Sequence, residues 1–105
     1  LSFMPKGKEC VLAKTGGEVS AFDVVSGGNR HKHAILTHIR CGRMTIRSLD
    51  APLVVLGERS PLSFYNAQPD LTKGVHFSLF NNAWGTNYVQ WFGEDASFRF
   101  SIEFV

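Results

Sequence analysis

Residues 74–92 read GVHFSLFNNAWGTNYVQWF, and they join a strand pattern to a polar, aromatic corner. The first part, residues 75–80, is mostly apolar and predicts a strand. Residues 81–87 then contain three Asn, one Thr, one Gly and one Trp. Asn side chains both donate and accept hydrogen bonds, and Asn and Gly tolerate the left-handed backbone of tight turns. The stretch therefore predicts a complex turn between two strands.

Two interpretations of this corner remain open. In the first, the amides fix the turn and the Trp rings fill the core beneath it, which is the usual fate of such residues. In the second, Trp84 faces a sugar or a partner domain. We hypothesise that Trp91 is the core residue, that Asn81 and Asn87 bond to backbone, and that Trp84 lies at the surface. The candidate contact residues are Asn81, Asn82, Trp84, Thr86, Asn87 and Tyr88.

The clearest alternation of apolar and polar residues lies at the end of the chain. The apolar positions are Phe98, Phe100, Ile102 and Phe104, and the polar ones are Arg99, Ser101 and Glu103. A period of two predicts a strand whose four large apolar side chains share one face, which we expect to be buried. On the other face, Arg99 lies beside Glu103 and could form a weak same-face ion pair, to which we attach no function.

Further strands precede the corner. Residues 9–15 and 18–25 flank Gly16-Gly17 and predict a hairpin, because primed turns need positive φ. Residues 34–40 (AILTHIR) alternate and predict one strand. The run LVVL at 53–56 fits a strand covered on both faces, or one that crosses between sheets.

The fold class follows from the spacing of these signals. Turn signals recur about every ten residues, and no helical period persists for three turns. We therefore predict an all-β fold, an antiparallel β-sandwich with little or no helix, formed by residues 1–105 as one domain.

Composition argues against several classes of partner. The net charge is +2 with both signs scattered, so no basic stripe indicates nucleic acid. No apolar run approaches the ~20 residues of a membrane helix. Cys10 and Cys41 could form one disulfide, but their spacing fits no metal motif, and buried free thiols are the favoured interpretation.

The residues that could carry chemistry are few. His31 and His33 would share a face of a strand, but a zinc site needs three or four ligands, so we favour an exposed, charged segment and predict no metal. Glycoside hydrolysis needs two acids about 5–10 Å apart. The candidate acids all fall in or beside turns, where a solvated role is favoured: Asp50, Glu58, Asp70, Glu94 and Asp95. We therefore predict no catalytic residue and no cofactor in this chain.

One motif resembles a known family. The run N-N-x-W-G-T-N-Y-x-x-W at 81–91 follows a His-Phe-x-Leu strand and precedes an acidic turn and an F-R-F strand. This arrangement resembles the extreme C-terminal end of alpha-mannosidase-like proteins of glycoside hydrolase family 38. Residues 48–57 (SLDAPLVVLG) resemble the run that comes before it, and the likeness covers roughly residues 34–105.

The resemblance implies a C-terminal fragment of a larger enzyme. Such proteins have an N-terminal α/β catalytic domain with a zinc ion and a carboxylate nucleophile, followed by a helical bundle and β-sandwich regions. None of the catalytic motifs matches here, so the chain is expected to be a non-catalytic module that packs on the catalytic domain of the same polypeptide. The alternative is a free-standing carbohydrate-binding or adhesive module. A row of exposed aromatics would favour binding, and an apolar contact patch would favour packing.

Overall fold

The computed structural model describes residues 1–7, 9–23, 30–58, 66–79 and 93–105. Within those ranges the secondary structure is nine strands and one short 3-10 helix, Leu71–Lys73. The strands are β1 (Ser2–Phe3), β2 (Cys10–Lys14), β3 (Gly17–Ser20), β4 (Lys32–Ala34), β5 (His38–Cys41), β6 (Met44–Ser48), β7 (Leu53–Leu56), β8 (Val75–Phe77) and β9 (Phe100–Phe104). The predicted all-β class is confirmed.

The strands form two antiparallel sheets that share one core. The order is β1-β8-β7-β4 in the four-stranded sheet and β3-β2-β5-β6-β9 in the five-stranded sheet. Both sheets contribute to one buried cluster: Cys10, Leu12, Ala21, Ile35, Ile39, Cys41, Ile46, Val54, Leu56, Leu71, Val75 and Phe77. A core filled from two facing sheets is the arrangement of a β-sandwich.

The predicted hairpin is present between β2 and β3, where Lys14 pairs with Gly17. Gly16 and Gly17 have φ of 102° and 138°, which a residue with a Cβ rarely adopts. In β7, the consecutive residues Val54 and Val55 are both buried. Because neighbours in a strand point to opposite faces, β7 is covered on both sides, as the apolar run at 53–56 indicated.

Residues 34–40 do not form the single strand that their alternation predicted. β4 ends at Ala34 in the four-stranded sheet, and β5 begins at His38 in the five-stranded sheet. The backbone N–H of Ile35 donates to Pro52 O (2.8 Å), and the N–H of Leu36 donates to Ala13 O of β2 (2.8 Å). The chain thus changes sheet within one residue. The alternation of apolar and polar residues does not reveal this change of sheet, because the residues on both sides of it keep their apolar side chains in the core.

The preference for free thiols is wrong, because Cys10 and Cys41 form a disulfide. They are directly opposite each other in the β2–β5 ladder, with Cα atoms 4.2 Å apart, and both are buried. The two residues are 31 positions apart, so only the non-local pairing of these strands brings them together. A cross-link over such a separation typically stabilises a domain by about 2–4 kcal/mol.

The predicted strand is present as β9, but the prediction that its four apolar residues are buried is wrong, since Phe98 and Phe100 are half-buried and Ile102 and Phe104 are exposed. Phe100 is half-buried, and its ring packs against Phe77 (centroids 5.1 Å apart) and Phe3 (6.3 Å) of the four-stranded sheet. Ile102 and Phe104 share that face but are 43% and 76% exposed. The reason is that β9 is the outermost strand of its sheet, so its second half is poorly covered by the opposite sheet.

The difference in burial between Phe100 and Phe104 gives a test of the sandwich. Phe100→Ala should cost about 3 kcal/mol of unfolding free energy, because it removes the ring that packs across the two sheets. Phe104→Ala, on the same face, should cost less than about 1 kcal/mol, because that ring is mostly in water. Chemical denaturation of both variants measures the difference. Equal losses would contradict the packing described here.

Candidate functional site

The candidate contact residues, 81, 82, 84 and 86–88, lie outside the described residues, as does Trp91. The structure does describe backbone hydrogen bonds on both sides of residues 80–92. Before that segment, Ser78 N donates to Leu53 O (3.0 Å), just after the end of β8. After it, and beyond residues 93–98, Leu49 N donates to Arg99 O (3.0 Å), just before the start of β9. Leu49 and Leu53 flank the connection between β6 and β7, so the two bonds lie at the same end of the sandwich.

Four exposed leucines lie at or beside strand ends, and we call this set of residues the leucine end. Leu1 is 51% exposed, Leu36 66%, Leu49 59% and Leu53 45%. Phe77 N donates to Leu1 O (2.7 Å), and Leu53 is the register partner of Ala34, two residues before Leu36. Single exposed leucines are ordinary, whereas a contiguous apolar patch would indicate a contact surface.

An ion pair holds the chain where it enters β9. The Arg99 guanidinium donates to both Asp50 carboxylate oxygens (2.9 Å each), and the Arg99 backbone N–H donates to Asp50 Oδ2 (2.8 Å). These contacts, the side-chain bond first, lower the pKa of Asp50 to about 2. Arg99 does not pair with Glu103. Glu103 Oε1 lies instead 3.6 Å from Nε of Arg47 on the neighbouring strand β6.

The outer face of the five-stranded sheet carries a polar network. His38 Nε2 and Glu18 Oε1 are 2.9 Å apart, and Arg40 Nη2 donates to Glu18 Oε2 (2.7 Å). Hydrogen bonds from His38 and then Arg40 lower the pKa of Glu18. The two strands that hold these residues are separated by β2, where Ala13 is small enough for Glu18 to reach across. The network is charged and contains no Phe, Tyr or Trp.

The two histidines of the metal hypothesis are buried, so the expectation of an exposed segment is wrong. His31 Nε2 lies 3.1 Å from Ala67 O, and His33 Nε2 lies 2.9 Å from Arg30 O. Burial is the main cause that lowers the pKa of His33, which favours the neutral ring. Within the described ranges, no three His, Cys, Asp or Glu side chains form a group that could hold a metal ion.

His76 is a buried polar centre that the sequence analysis missed. Its Nδ1 lies 2.8 Å from Ser2 Oγ, and its Nε2 lies 2.8 Å from Gly57 O and 3.0 Å from Lys73 O. Nε2 faces two carbonyls, so it must be the donor, and Nδ1 then accepts from the Ser2 hydroxyl. His76 ties β1, the end of β7 and the 3-10 helix together. A single His in a strand carries no sequence signal for such a role.

The acids that were considered for catalysis lie in loops, and three of them make structural contacts. Asp50 binds Arg99, and Glu58 forms an ion pair with Lys73. Asp70 caps the 3-10 helix by accepting from Thr72 N (3.0 Å) and Thr72 Oγ1 (2.6 Å). Glu94 and Asp95 are exposed. These are the contacts of turn caps and surface ion pairs, so the described acids fulfil local structural roles.

Comparisons with protein-family models, with curated proteins and with solved structures find no match for this chain. Among the residues that the structure describes, no helix has the length and apolar character needed to cross a bilayer. What the chain does must therefore be inferred from its own residues.

The Asp50–Arg99 pair predicts a pH dependence of stability. The folded pKa of about 2 lies below the ordinary value of 3.8, so the ionised carboxylate stabilises the fold above pH 4. That contribution is lost as the pH falls from about 4 to about 2. We expect wild type to melt at a higher temperature than Asp50→Asn at pH 6, and the difference to shrink towards pH 2.

Arg99→Gln provides the matched control for this prediction. In that background, Asp50→Asn should have a much smaller effect on the melting temperature at pH 6, because the cation that lowers the carboxyl pKa is gone. Circular dichroism melts of the four proteins complete the cycle. A wild-type advantage of the same size at pH 2 and at pH 6 would contradict the ion pair.

Proposed function

We propose that this chain is a non-catalytic C-terminal β-sandwich module of an alpha-mannosidase-like glycoside hydrolase. In this proposal the module packs on the catalytic domain of the same polypeptide and shapes the rim of its sugar-binding cleft. The observation that carries the proposal is the leucine end, because two of its exposed residues, Leu49 and Leu53, make the backbone bonds described on either side of the segment that bears the family-like motif. Residues 81–88 supply the candidate contacts to the catalytic domain or to sugar.

The chemistry of the leucine end supports packing on another domain. A partner that covers these leucines would stabilise the complex by about 25 cal/mol per Å² of apolar area removed from water. Arg99 and Asp50 lie beside this surface and pair with each other, so a partner would not have to bury an unpaired charge there. An apolar centre with satisfied charges around it is the usual composition of an interface.

The disulfide supports an oxidising environment for the parent enzyme. Structural disulfides persist in secreted and luminal proteins and are rare in reducing compartments. Cys10 and Cys41 are both buried in the core, so this bond is part of the fold rather than an exposed redox pair. A parent enzyme that acts on glycans outside the cytosol agrees with this chemistry.

The alternative is a free-standing carbohydrate-binding or adhesive module. Ligand-binding sites are commonly lined by hydrophobic and aromatic side chains, and the network of Glu18, His38 and Arg40 on the outer sheet contains no Phe, Tyr or Trp. Among the described residues, the large exposed aromatic is Phe104, which lies at the end of the sandwich opposite the leucines. The alternative therefore depends on Trp84 and Tyr88, and the described surface favours packing.

The complete reading frame tests the proposal most directly. We expect the coding sequence upstream of residue 1 to specify an α/β domain with zinc ligands and a carboxylate nucleophile. A reading frame that encodes only this sandwich, or that joins it to unrelated domains, would overturn the proposal. A glycan array probed with the chain alone tests the alternative. Sugar binding that Trp84→Ala abolishes would favour a free-standing module over one that packs on a catalytic domain.

Within the full-length enzyme, two tryptophans should have separable effects. Trp84→Ala should barely change the unfolding free energy of the isolated module, because a surface ring contributes little burial. It should weaken domain association or substrate turnover. Trp91→Ala should do the reverse and cost about 3–5 kcal/mol of stability, as expected for a core aromatic. Chemical melts and full-length activity measure both. If Trp84→Ala destabilises the module as much as Trp91→Ala does, Trp84 belongs to the core and the proposed contact role of this corner is wrong.

A further inference from the structure

A groove lies at the end of the sandwich where β5 turns into β6. It has a volume of about 560 Å³, and its lining includes Met4 and Pro5 after β1, Met44 of β6 and Phe104 of β9. Met44 is the first residue of β6, whose other end leads to Leu49, so the groove lies at the opposite end of that strand from Leu49. A volume of this size is typical of sites for small molecules, which are about 300–1,000 Å³.

Close backbone contacts build this groove. A Cβ on Gly7 would lie 3.2 Å from Gly42 N, and a Cβ on Gly42, which has φ of 60°, would lie 3.1 Å from Lys6 O. Glycine at both positions thus lets the segment after β1 approach the turn between β5 and β6. The end of β9 is tied to the same turn, because Val105 N donates to Arg43 O (3.0 Å) and Arg43 Nε donates to Val105 O.

The lining of the groove is largely apolar and is in contact with water. Met4 is 64% exposed and Phe104 is 76% exposed, and both line the same concavity. Single exposed apolar residues are ordinary, whereas a concave surface lined by several of them is typical of a ligand site. Two of the lining residues are methionines, whose unbranched and polarisable side chains adapt to the shape of a ligand. The groove therefore fits an apolar chain.

The charged side chains among the described residues that line the groove are both cations, Lys6 and Arg43. All nine Asp and Glu residues of the chain lie within the described ranges, and none of them lines the groove. The bond from Arg43 Nε to Val105 O holds the guanidinium beside the groove, and its two Nη nitrogens carry four further N–H groups. Two cations without a lining acid favour a ligand with a negative charge.

We propose that this groove binds a small amphipathic carboxylate, a molecule with an apolar chain and one acidic head. The chain lies against Met4, Met44 and Phe104, which removes apolar surface of both partners from water. The carboxylate accepts hydrogen bonds from the Arg43 guanidinium, whose planar fork matches the two carboxylate oxygens, and from Lys6. The residues involved belong neither to the leucine end nor to the corner at 81–88, so the inference does not depend on the proposed function.

The methyl groups of the two methionines report on the groove directly, because the chain has two methionines and both line it. NMR titration of the chain, labelled with ¹³C-methyl methionine, with octanoate is the primary test. Both methyl signals should shift along one saturable curve, with a dissociation constant of about 0.3–3 mM for a ligand of this size. Unmoved methyl signals up to about 30 mM octanoate would overturn the proposal. Shifts that follow protein concentration without octanoate would indicate a second copy in the groove and would also overturn it.

Two ligands with the same apolar chain test the acidic head. Octanol has no charge and should bind about tenfold more weakly than octanoate, because it gains nothing from the two cations. Octylammonium carries the opposite charge and should bind more weakly than octanol. Equal affinity for all three ligands would show that the groove recognises only an apolar chain, and would overturn the assignment of a carboxylate.

Charge-removing variants assign the head to its partners. Arg43→Gln and Lys6→Gln should each weaken octanoate binding by about fivefold and leave octanol binding unchanged. Arg47→Gln is the matched control, because Arg47 lies on the outer face of the same sheet beside Glu103 and should not affect either ligand. Thermal melts establish that each variant is folded, and Lys6→Gln keeps the test valid if the loss of the Arg43 bond to Val105 lowers stability. Octanoate binding that Arg47→Gln weakens as much as Lys6→Gln does would overturn the proposal.

Discussion

The arrangement of the two sheets depends on a change of backbone hydrogen-bonding partner between Ile35 and Leu36. Ile35 bonds to the four-stranded sheet through Pro52, and Leu36 bonds to the five-stranded sheet through Ala13. Lys14 Nζ reinforces the crossing by donating to Ala34 O (2.7 Å). Because buried backbone groups must be paired, a chain that passes between two sheets has to exchange partners without a gap. This constraint sets how the sheets face each other, and so where their shared core lies.

The crossing also accounts for the disulfide, and the buried histidines have partners of their own. Once β5 enters the second sheet it pairs with β2, and that register places Cys41 opposite Cys10. Histidines 31 and 33 are buried and reach backbone carbonyls through Nε2. Histidine in such a setting stabilises the loops that it bonds to, and its presence is not a sign of metal binding.

The sandwich is unevenly closed, and its two ends offer different surfaces. At the leucine end, exposed Leu49 and Leu53 lie at the backbone bonds on either side of the segment that carries the motif N-N-x-W-G-T-N. At the opposite end, β1 is short, and Ile102 and Phe104 of β9 remain exposed. A small domain buries a limited share of its surface, so some apolar residues stay exposed at its ends.

The sequence by itself determined the fold class and the Gly16-Gly17 hairpin, and it limited residues 53–56 to a doubly covered strand or one that crosses between sheets. These follow from local rules, because period two, positive φ at glycine and continuous apolar runs are properties of neighbouring residues. Only the tertiary structure decided the Cys10–Cys41 bond, the change of sheet at Ile35, the Asp50–Arg99 pair and the exposure of Phe104. Each of these depends on which distant strands become neighbours and on where a sheet ends. Alternation along a strand fixes which side chains share a face, but coverage of that face depends on the length and position of the opposite sheet.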